Sequence, residues 1–319
     1  MTIDILYILL GLVLLVKGGD YLVDGSVAIA ERAKLTKMVI GLTVIGFGTS
    51  MPELLVSAQS ALVGNSGIAI GNVVGSNISN IALILGMTAL IQPIPAQRIT
   101  LRIDIPFMMI AALLFVAVAF TGTITRMAGI LGVLLLVAFV AYQVRSSRKA
   151  GKAGDGAALP AEPAEAKAPM ALWKALLLVV VSFCAMVFGA DKLVEGASDI
   201  AQQLGVTDRI IGLTIVAVGT SLPELFASVV AAYKGEIDMA IGNIIGSVTF
   251  NILSVIGISA AISPIHDSNI GFGFDYVLML ALGVILWIFL RTHHKIVRWE
   301  GLTLVVIYIL YILKTIFWQ

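Results

Sequence analysis

The chain has 319 residues, of which 59% are hydrophobic and only 12% charged, with a mean hydropathy of +1.04. Soluble domains carry about 25% charged residues, so this composition excludes an ordinary soluble domain. The net charge of +1, with no concentrated basic groove, gives no footing for nucleic acid.

Apolar runs long enough to cross a bilayer, about 20 residues each, recur along the whole length. The first, Ile5 to Val16, follows Asp4 rather than a basic stretch and has no small-residue cleavage pattern after it, so it reads as a helix and not a signal peptide. The apolar segments predict five helices in each half. In the first they span 3–30, 38–62, 67–91, 103–121 and 126–146. In the second they span 170–202, 209–233, 238–263, 272–290 and 299–317. The chain thus divides into 1–147, a linker at 148–169, and 170–319. The linker, rich in Ala, Gly and Pro from Gly151 to Pro169, cannot bury a core. Cys184, the single cysteine, falls inside an apolar run and is expected to be a small buried hydrophobe.

The two halves are copies. Shifting the sequence by 171 residues aligns them without a gap, and 22 of the 48 positions from Val39 to Gly86 are identical. Gly48-Thr49-Ser50-Met51-Pro52-Glu53-Leu54 falls on Gly219-Thr220-Ser221-Leu222-Pro223-Glu224-Leu225, and Gly71-Asn72 with Gly75-Ser76 falls on Gly242-Asn243 with Gly246-Ser247. Five helices is an odd number, so the second copy enters the membrane from the opposite side. Loop charge agrees: fifteen Lys and Arg residues fall on the side opposite the amino terminus, against three on its own side. The positive side is the cytoplasmic one. The expected architecture is therefore all-α, with ten transmembrane helices in two inverted five-helix repeats, both termini outside and the linker in the cytoplasm. Trp173, Trp299 and Trp318 fall near helix ends, as interfacial anchors do.

Glu53 and Glu224 stand near the middle of helices 2 and 7. A carboxylate at the bilayer centre costs about 2.5–3.5 kcal/mol on insertion scales, and such residues mark functional sites. Pro52 and Pro223 have no backbone N–H and clash with the preceding turn, so both helices should break there. Gly46 and Gly48 ease the departure from helical geometry in helix 2, while Ala217 stands where helix 7 would match Gly46. Broken helices at matching places in inverted repeats point to a midplane ion site. A second reading is also open: Ser50-x-x-Glu53 and Ser221-x-x-Glu224 fit capping boxes.

On helices 3 and 8, Ser76 and Asn80 share a face, as do Ser247 and Asn251. Asn80 and Asn251 can meet an ion or bond a neighbouring helix. Asn72 and Asn243 suit backbone groups freed at the breaks. The paired small residues Gly71/Gly75 and Gly242/Gly246 allow close helix approach. Two carboxylates, amides, hydroxyls and free carbonyls make an all-oxygen set, which fits Ca²⁺, Mg²⁺ or Na⁺ and not zinc or copper. No nucleophile with its base and no phosphate-cradling loop is present, so the sequence does not read as an enzyme. Asp20, Asp24, Asp191 and Glu195 form a second symmetric acidic set. It lines an approach to the site or pairs locally, Lys17 with Asp20 and Lys192 with Glu195.

Both Gly-Thr-Ser-x-Pro-Glu segments and both Gly-Asn-x-x-Gly-Ser segments resemble the alpha repeats of the cation/calcium exchanger superfamily, in its sodium/calcium exchanger branch. The resemblance implies an antiporter of a prokaryotic plasma membrane. In it, helices 2, 3, 7 and 8 surround the ions, and helices 1 and 6 slide against them. It implies calcium on Glu53 and Glu224 with the carbonyls of Thr49 and Thr220. It implies sodium on Ser50, Ser76, Ser221, Ser247 and the carbonyls of Gly46 and Ala217, three Na⁺ being exchanged for one Ca²⁺. Asn251 departs from prokaryotic relatives that carry aspartate there, which removes a third protonatable carboxylate. Val248 in place of Asn77 weakens Asn77 as a ligand. The transported ions and the bilayer are the expected partners, with no prosthetic group and no obligate protein partner. A proton/cation exchanger, a channel and a calcium-binding sensor are the rival readings.

Overall fold

A computed structural model describes residues 2–95, 97–153, 170–206, 211, 215, 217–266 and 272–317. Helix 1 (Thr2–Ala33) is followed by helix 2 in two pieces, Lys37–Thr49 and Met51–Leu62, bent by 45°. Helices 3, 4 and 5 are Ser66–Ile91, Thr100–Ala119 and Arg126–Ala153. Helix 6 is Leu172–Gln203, and helix 8 is Ile237–Ile262. Helices 9 and 10 are Gly273–His293 and Arg298–Phe317. Of helix 7, the described parts are Ala217–Gly219 and Leu222–Tyr233; most of its expected first half lies outside the described residues. Among the described residues eight helices are long and apolar enough to span a membrane, nine with the bent helix 2.

Helix 5 runs on to Ala153, past the expected boundary at 147, because Arg148, Lys149, Ala150 and Lys152 are good helix formers. The remainder of the expected linker, 154–169, lies outside the described residues, as does Trp318. Trp173 and Trp299 stand exposed in the first turns of helices 6 and 10.

Burial sorts the helices. The apolar stretches of helices 8 and 3 are 89% and 72% buried, against 22–39% for the other unbroken spans. Helices 3 and 8 are therefore the centre. Leu10, Val13, Leu113, Leu134, Val180 and Ile309 form part of an outer surface that only lipid can cover without penalty. Cys184 belongs to this exposed face of helix 6, which corrects the expectation that it is buried. An apolar run satisfies lipid as readily as a core, so composition alone did not separate the two faces.

Helices 1 and 6 pack along their length as a pair. Gly11, Gly18 and Gly25 recur every seven residues, two helical turns, on the face that meets helix 6. A Cβ on Gly11 would lie 2.5 Å from the Gly189 carbonyl oxygen, and one on Gly196 would lie 2.4 Å from that of Asp4.

Two short antiparallel strand pairs tie the repeats together. β1 (Ile94–Pro95) pairs with β4 (Lys295–Ile296), and β2 (Thr123–Ile124) pairs with β3 (Ile265–His266). In the expected ten-span numbering, β1 and β4 follow the third and ninth spans, and β2 and β3 follow the fourth and eighth. Each pair therefore joins loops of the same parity, as inverted repeats in one membrane require.

The first piece of helix 2 lies on helix 8 backbone to backbone. A Cβ on Gly246 would sit 2.3 Å from the Leu42 carbonyl oxygen, and one on Gly242 would sit 2.4 Å from that of Met38. These contacts bear out the small-residue spacing in repeat 2. Gly246→Ala forces two backbones apart and is expected to cost about 1–3 kcal/mol, as overpacking does. The melting temperature in detergent should fall and transport with it. Gly283→Ala, whose Cβ would meet only Met109 Cγ at 3.5 Å, should leave both nearly unchanged.

Candidate ion-binding site

Helix 2 breaks at Ser50 (φ −82°, ψ 5°), two residues before Pro52, and the helix 7 turn at Ser221 (φ −91°, ψ 4°) matches it. Each proline falls in the first turn of the new piece, where a missing N–H costs least. Gly46 keeps right-handed helical angles (φ −58°, ψ −39°), which corrects its expected role in the break. A Cβ there would come within 3.0 Å of the Ser247 nitrogen, so glycine serves the approach to helix 8. A Cβ on Gly48 would strike the Phe183 ring at 2.0 Å, so this glycine admits helix 6 to the break.

Glu53 and Glu224 occupy the turns just after the two breaks, and neither is exposed at all. Ser50 and Ser221 make no side-chain cap hydrogen bond, so the capping-box reading fails. The Glu224 carboxyl stands beside Thr49 and Ser50 and near enough to Glu53 for the two charges to interact. Glu53 Oε1 accepts a 3.4 Å hydrogen bond from Ser76 Oγ.

Among the described residues, fourteen buried side-chain polar atoms have no hydrogen-bond partner within the protein. Eight of them belong to Ser50, Glu53, Asn80, Ser221, Glu224 and Asn251. Buried polar groups are otherwise nearly always paired. Their concentration on one set of residues is the signature of groups arranged for something other than the protein. Seven of the eight are oxygens, on helices 2, 3, 7 and 8. Among the described residues no group of three or more His, Cys, Asp or Glu residues could hold a metal, so a cation here would draw on amide and hydroxyl oxygens beside two acids.

The other amides hold the scaffold. Asn72 Nδ2 donates to the Glu53 carbonyl at 3.1 Å and to Ser57 Oγ at 2.9 Å; Asn243 Nδ2 reaches the Glu224 carbonyl at 3.4 Å and Ser228 Oγ at 2.9 Å. Both asparagines thus bond backbone as expected, but on the glutamate carbonyls inside the second helical pieces rather than on groups freed at the breaks. Thr49 Oγ1 contacts the Ile45 carbonyl, Asn243 Oδ1 and Ser247 Oγ at 3.0, 3.3 and 3.4 Å. The Gly46 carbonyl accepts from the Ser50 N–H at 3.3 Å and from Ser247 Oγ at 3.5 Å, so it is occupied in this arrangement. Ala217 opens the short piece Ala217–Gly219, and Thr220 follows at the turn, half-buried.

Three features escaped the sequence reading. Ser57 and Ser228 are related by the same 171-residue shift, a signal that was available. Helices 3 and 8 wind as π-helix over Ser79–Ile84 and Asn251–Val255, so both Asn80 and Asn251 sit where a turn is widened. Such windings recur at functional sites. Asn251 Nδ2 donates to Asn77 Oδ1 at 3.1 Å, across the repeats, which leaves Asn251 Oδ1 unpaired.

The acidic set is resolved as pairing. Lys192 bonds Glu195 as expected and lies 3.8 Å from Asp191. Asp20 and Asp24, however, clamp Lys234 at the end of helix 7, at 2.6 and 2.7 Å, where Lys17 was the expected partner of Asp20. Repeat 1 has Val63 where repeat 2 has Lys234, so the clamp exists in one copy only.

Three comparisons with known proteins agree. The chain is 38% identical over 314 residues to the putative antiporter CaxA of Alkalimonas amylolytica, covering 98% of each chain. It is 36% identical over 342 residues to the sodium/calcium exchanger MaX1 of Methanosarcina acetivorans, again covering 98% of each. The solved structure of the sodium–calcium exchanger NCX_Mj superposes with a TM-score of 0.82 at 30% identity, covering 98% of each chain. Residues 3–145 and 174–317 match the family described as sodium/calcium exchanger protein, and the chain belongs to that family of membrane transporters.

Proposed function

We propose that the protein exchanges sodium for calcium by alternating access at one site that the two ions share. The observation that carries this reading is the cluster of unpartnered buried oxygens on Glu53, Glu224, Asn80, Asn251, Ser50 and Ser221. Glu53 and Glu224 coordinate calcium, aided by the carbonyls of Thr49 and Thr220. Ser50, Ser76, Ser221 and Ser247, with the carbonyls of Gly46 and Ala217, take sodium. Gly46 must then give up its bond to Ser247, which a small shift of helix 2 on helix 8 would allow, and its bond to Ser50, which a small change at the helix 2 break would release. Hard oxygen donors in a water-free setting suit both ions, and neither needs a redox or acid–base step. Helices 1 and 6, packed on each other by their glycines, move as one body past the core.

The fifteen-to-three charge bias supports a cytoplasmic linker and outside termini. Lys149 is exposed near the end of helix 5. In a Cys184→Ala background, Lys149→Cys should be labelled by an impermeant thiol reagent only after the membrane is opened; labelling in sealed cells reverses the orientation.

Uptake of radiolabelled calcium into proteoliposomes tests the exchange itself. Sodium-loaded vesicles should accumulate calcium, while potassium- or choline-loaded vesicles should not. Uptake driven equally by an imposed pH gradient would mark a proton exchanger, and uptake without any loaded cation a channel.

Asn77 tests how Asn251 is held. Asn77→Val installs the residue that repeat 2 carries at 248 and frees the Asn251 amide to turn. One lost hydrogen bond is worth about 1 kcal/mol, so the calcium concentration for half-maximal uptake should rise about fivefold with the maximal rate little changed. An unchanged calcium dependence would show that the bond does not orient Asn251.

A further inference from the structure

We propose that the protein carries a binding site for the headgroup of an anionic phospholipid, in a pocket between helices 4 and 9 that is separate from the ion site. The pocket has a volume of about 800 Å³ and is lined by Arg98, Leu101, Arg102, Trp287, Arg291 and His294.

Its chemistry follows from spacing. Arg98 and Arg102 are four residues apart and share one face at the start of helix 4; Trp287 and Arg291 do the same at the end of helix 9. His294 closes helix 9 in the left-handed conformation (φ 52°). The Arg291 guanidinium lies over the Trp287 ring, 4.8 Å from its centre, and that stacking fixes its direction. Among the described residues, none of the three arginines forms an ion pair, and the lining contains no carboxylate. The nearest acid in sequence, Asp104, is buried and bonded to Gln143 on helix 5. Three guanidinium groups thus converge on a pocket without a counter-charge.

Position selects the anion. The apolar span of helix 4 begins at Thr100 and that of helix 9 ends at Thr292, so the pocket lies at the level where headgroups sit. Arginine forks match phosphate oxygens two at a time. Leu101 and the Trp287 ring offer apolar contact for the glycerol and the first acyl carbons, as interfacial tryptophan does. Basic pockets between transmembrane helices bind anionic lipid headgroups elsewhere by the same means. The strands β1 and β4 meet at this corner, joining the loop before helix 4 to the loop after helix 9. A lipid phosphate there would bridge repeat 1 to repeat 2.

Brominated lipids quench nearby tryptophan, and Trp287 is one of four tryptophans. The test uses the full chain with Trp173, Trp299 and Trp318 changed to Phe, reconstituted in phosphatidylcholine nanodiscs. Brominated phosphatidylglycerol should quench Trp287 at about one-tenth the mole fraction that brominated phosphatidylcholine needs, or less, since each basic residue near the surface contributes about fivefold. Arg98→Gln with Arg102→Gln and Arg291→Gln should abolish that preference. If the triple variant does not elute as a single species, Arg98→Gln with Arg102→Gln serves and should lose most of it. Equal quenching by the two lipids overturns the proposal. So does a preference that survives the substitutions, which would reflect the general charge of the surface. Loss of the preference in millimolar inorganic phosphate would assign the pocket to free phosphate and likewise overturn the lipid site.

Discussion

Glu53→Gln and Glu224→Gln are each expected to abolish sodium-driven calcium uptake while the protein continues to fold. Glutamine keeps the shape and one oxygen of the carboxylate and loses its charge. Removing one partner of a buried ionic contact costs about 3–5 kcal/mol, which is at least two orders of magnitude in affinity. Folding responds in the opposite sense. Both carboxyls are fully buried, and three of their four oxygens have no partner among the described residues. A neutral amide is cheaper to hold there without an ion. Without ions, the melting temperature of either variant should therefore equal or exceed that of the unaltered protein, and the upward shift that calcium produces should vanish. A variant that melts lower and still responds to calcium would mean that the glutamate is structural and lies outside the site.

Exchange should also move charge. Asn80 and Asn251 are neutral, so with both glutamates ionised the site is neutral around one Ca²⁺ and carries one positive charge around three Na⁺. Each turnover at that ratio transfers one net charge, worth about 2.3 kcal/mol per 100 mV, or about fiftyfold in the equilibrium calcium ratio. A potassium-diffusion potential imposed with valinomycin on sodium-loaded vesicles should shift calcium accumulation by that order, interior-positive potential raising it and interior-negative potential lowering it, because each turnover carries one net positive charge outward. Accumulation indifferent to voltage would instead require two Na⁺ per Ca²⁺.

Much of this was legible because the chain states its site twice. The 171-residue repeat picked out Glu53 with Glu224, Ser50 with Ser221 and Asn80 with Asn251, and the structure leaves atoms of those same six residues unpaired. The prolines located both breaks to within two residues. Apart from Ser57 and Ser228, which the repeat does mark, what escaped notice was set by contacts distant in sequence or by local winding. Asn77 meets Asn251 across 174 residues, and Lys234 reaches Asp20 and Asp24 across more than 200. Neither pairing is shared by the two repeats, so symmetry could not reveal it. The π-windings at Asn80 and Asn251 change which backbone group each N–H bonds and leave no mark on composition. Gly46 was misread because glycine permits both a break and a close approach, and only the position of helix 8 decides between them.

The central claim is that calcium and sodium compete for one set of oxygens, and equilibrium binding measures this most directly. Radiolabelled calcium is bound to the purified protein at a concentration near half-saturation, and sodium is raised at constant ionic strength with choline. The account predicts complete displacement, with a Hill coefficient for sodium above one because several Na⁺ replace one Ca²⁺, and no specific calcium binding in Glu224→Gln. Calcium that stays bound at saturating sodium, or that binds Glu224→Gln as well as the unaltered protein, would contradict it.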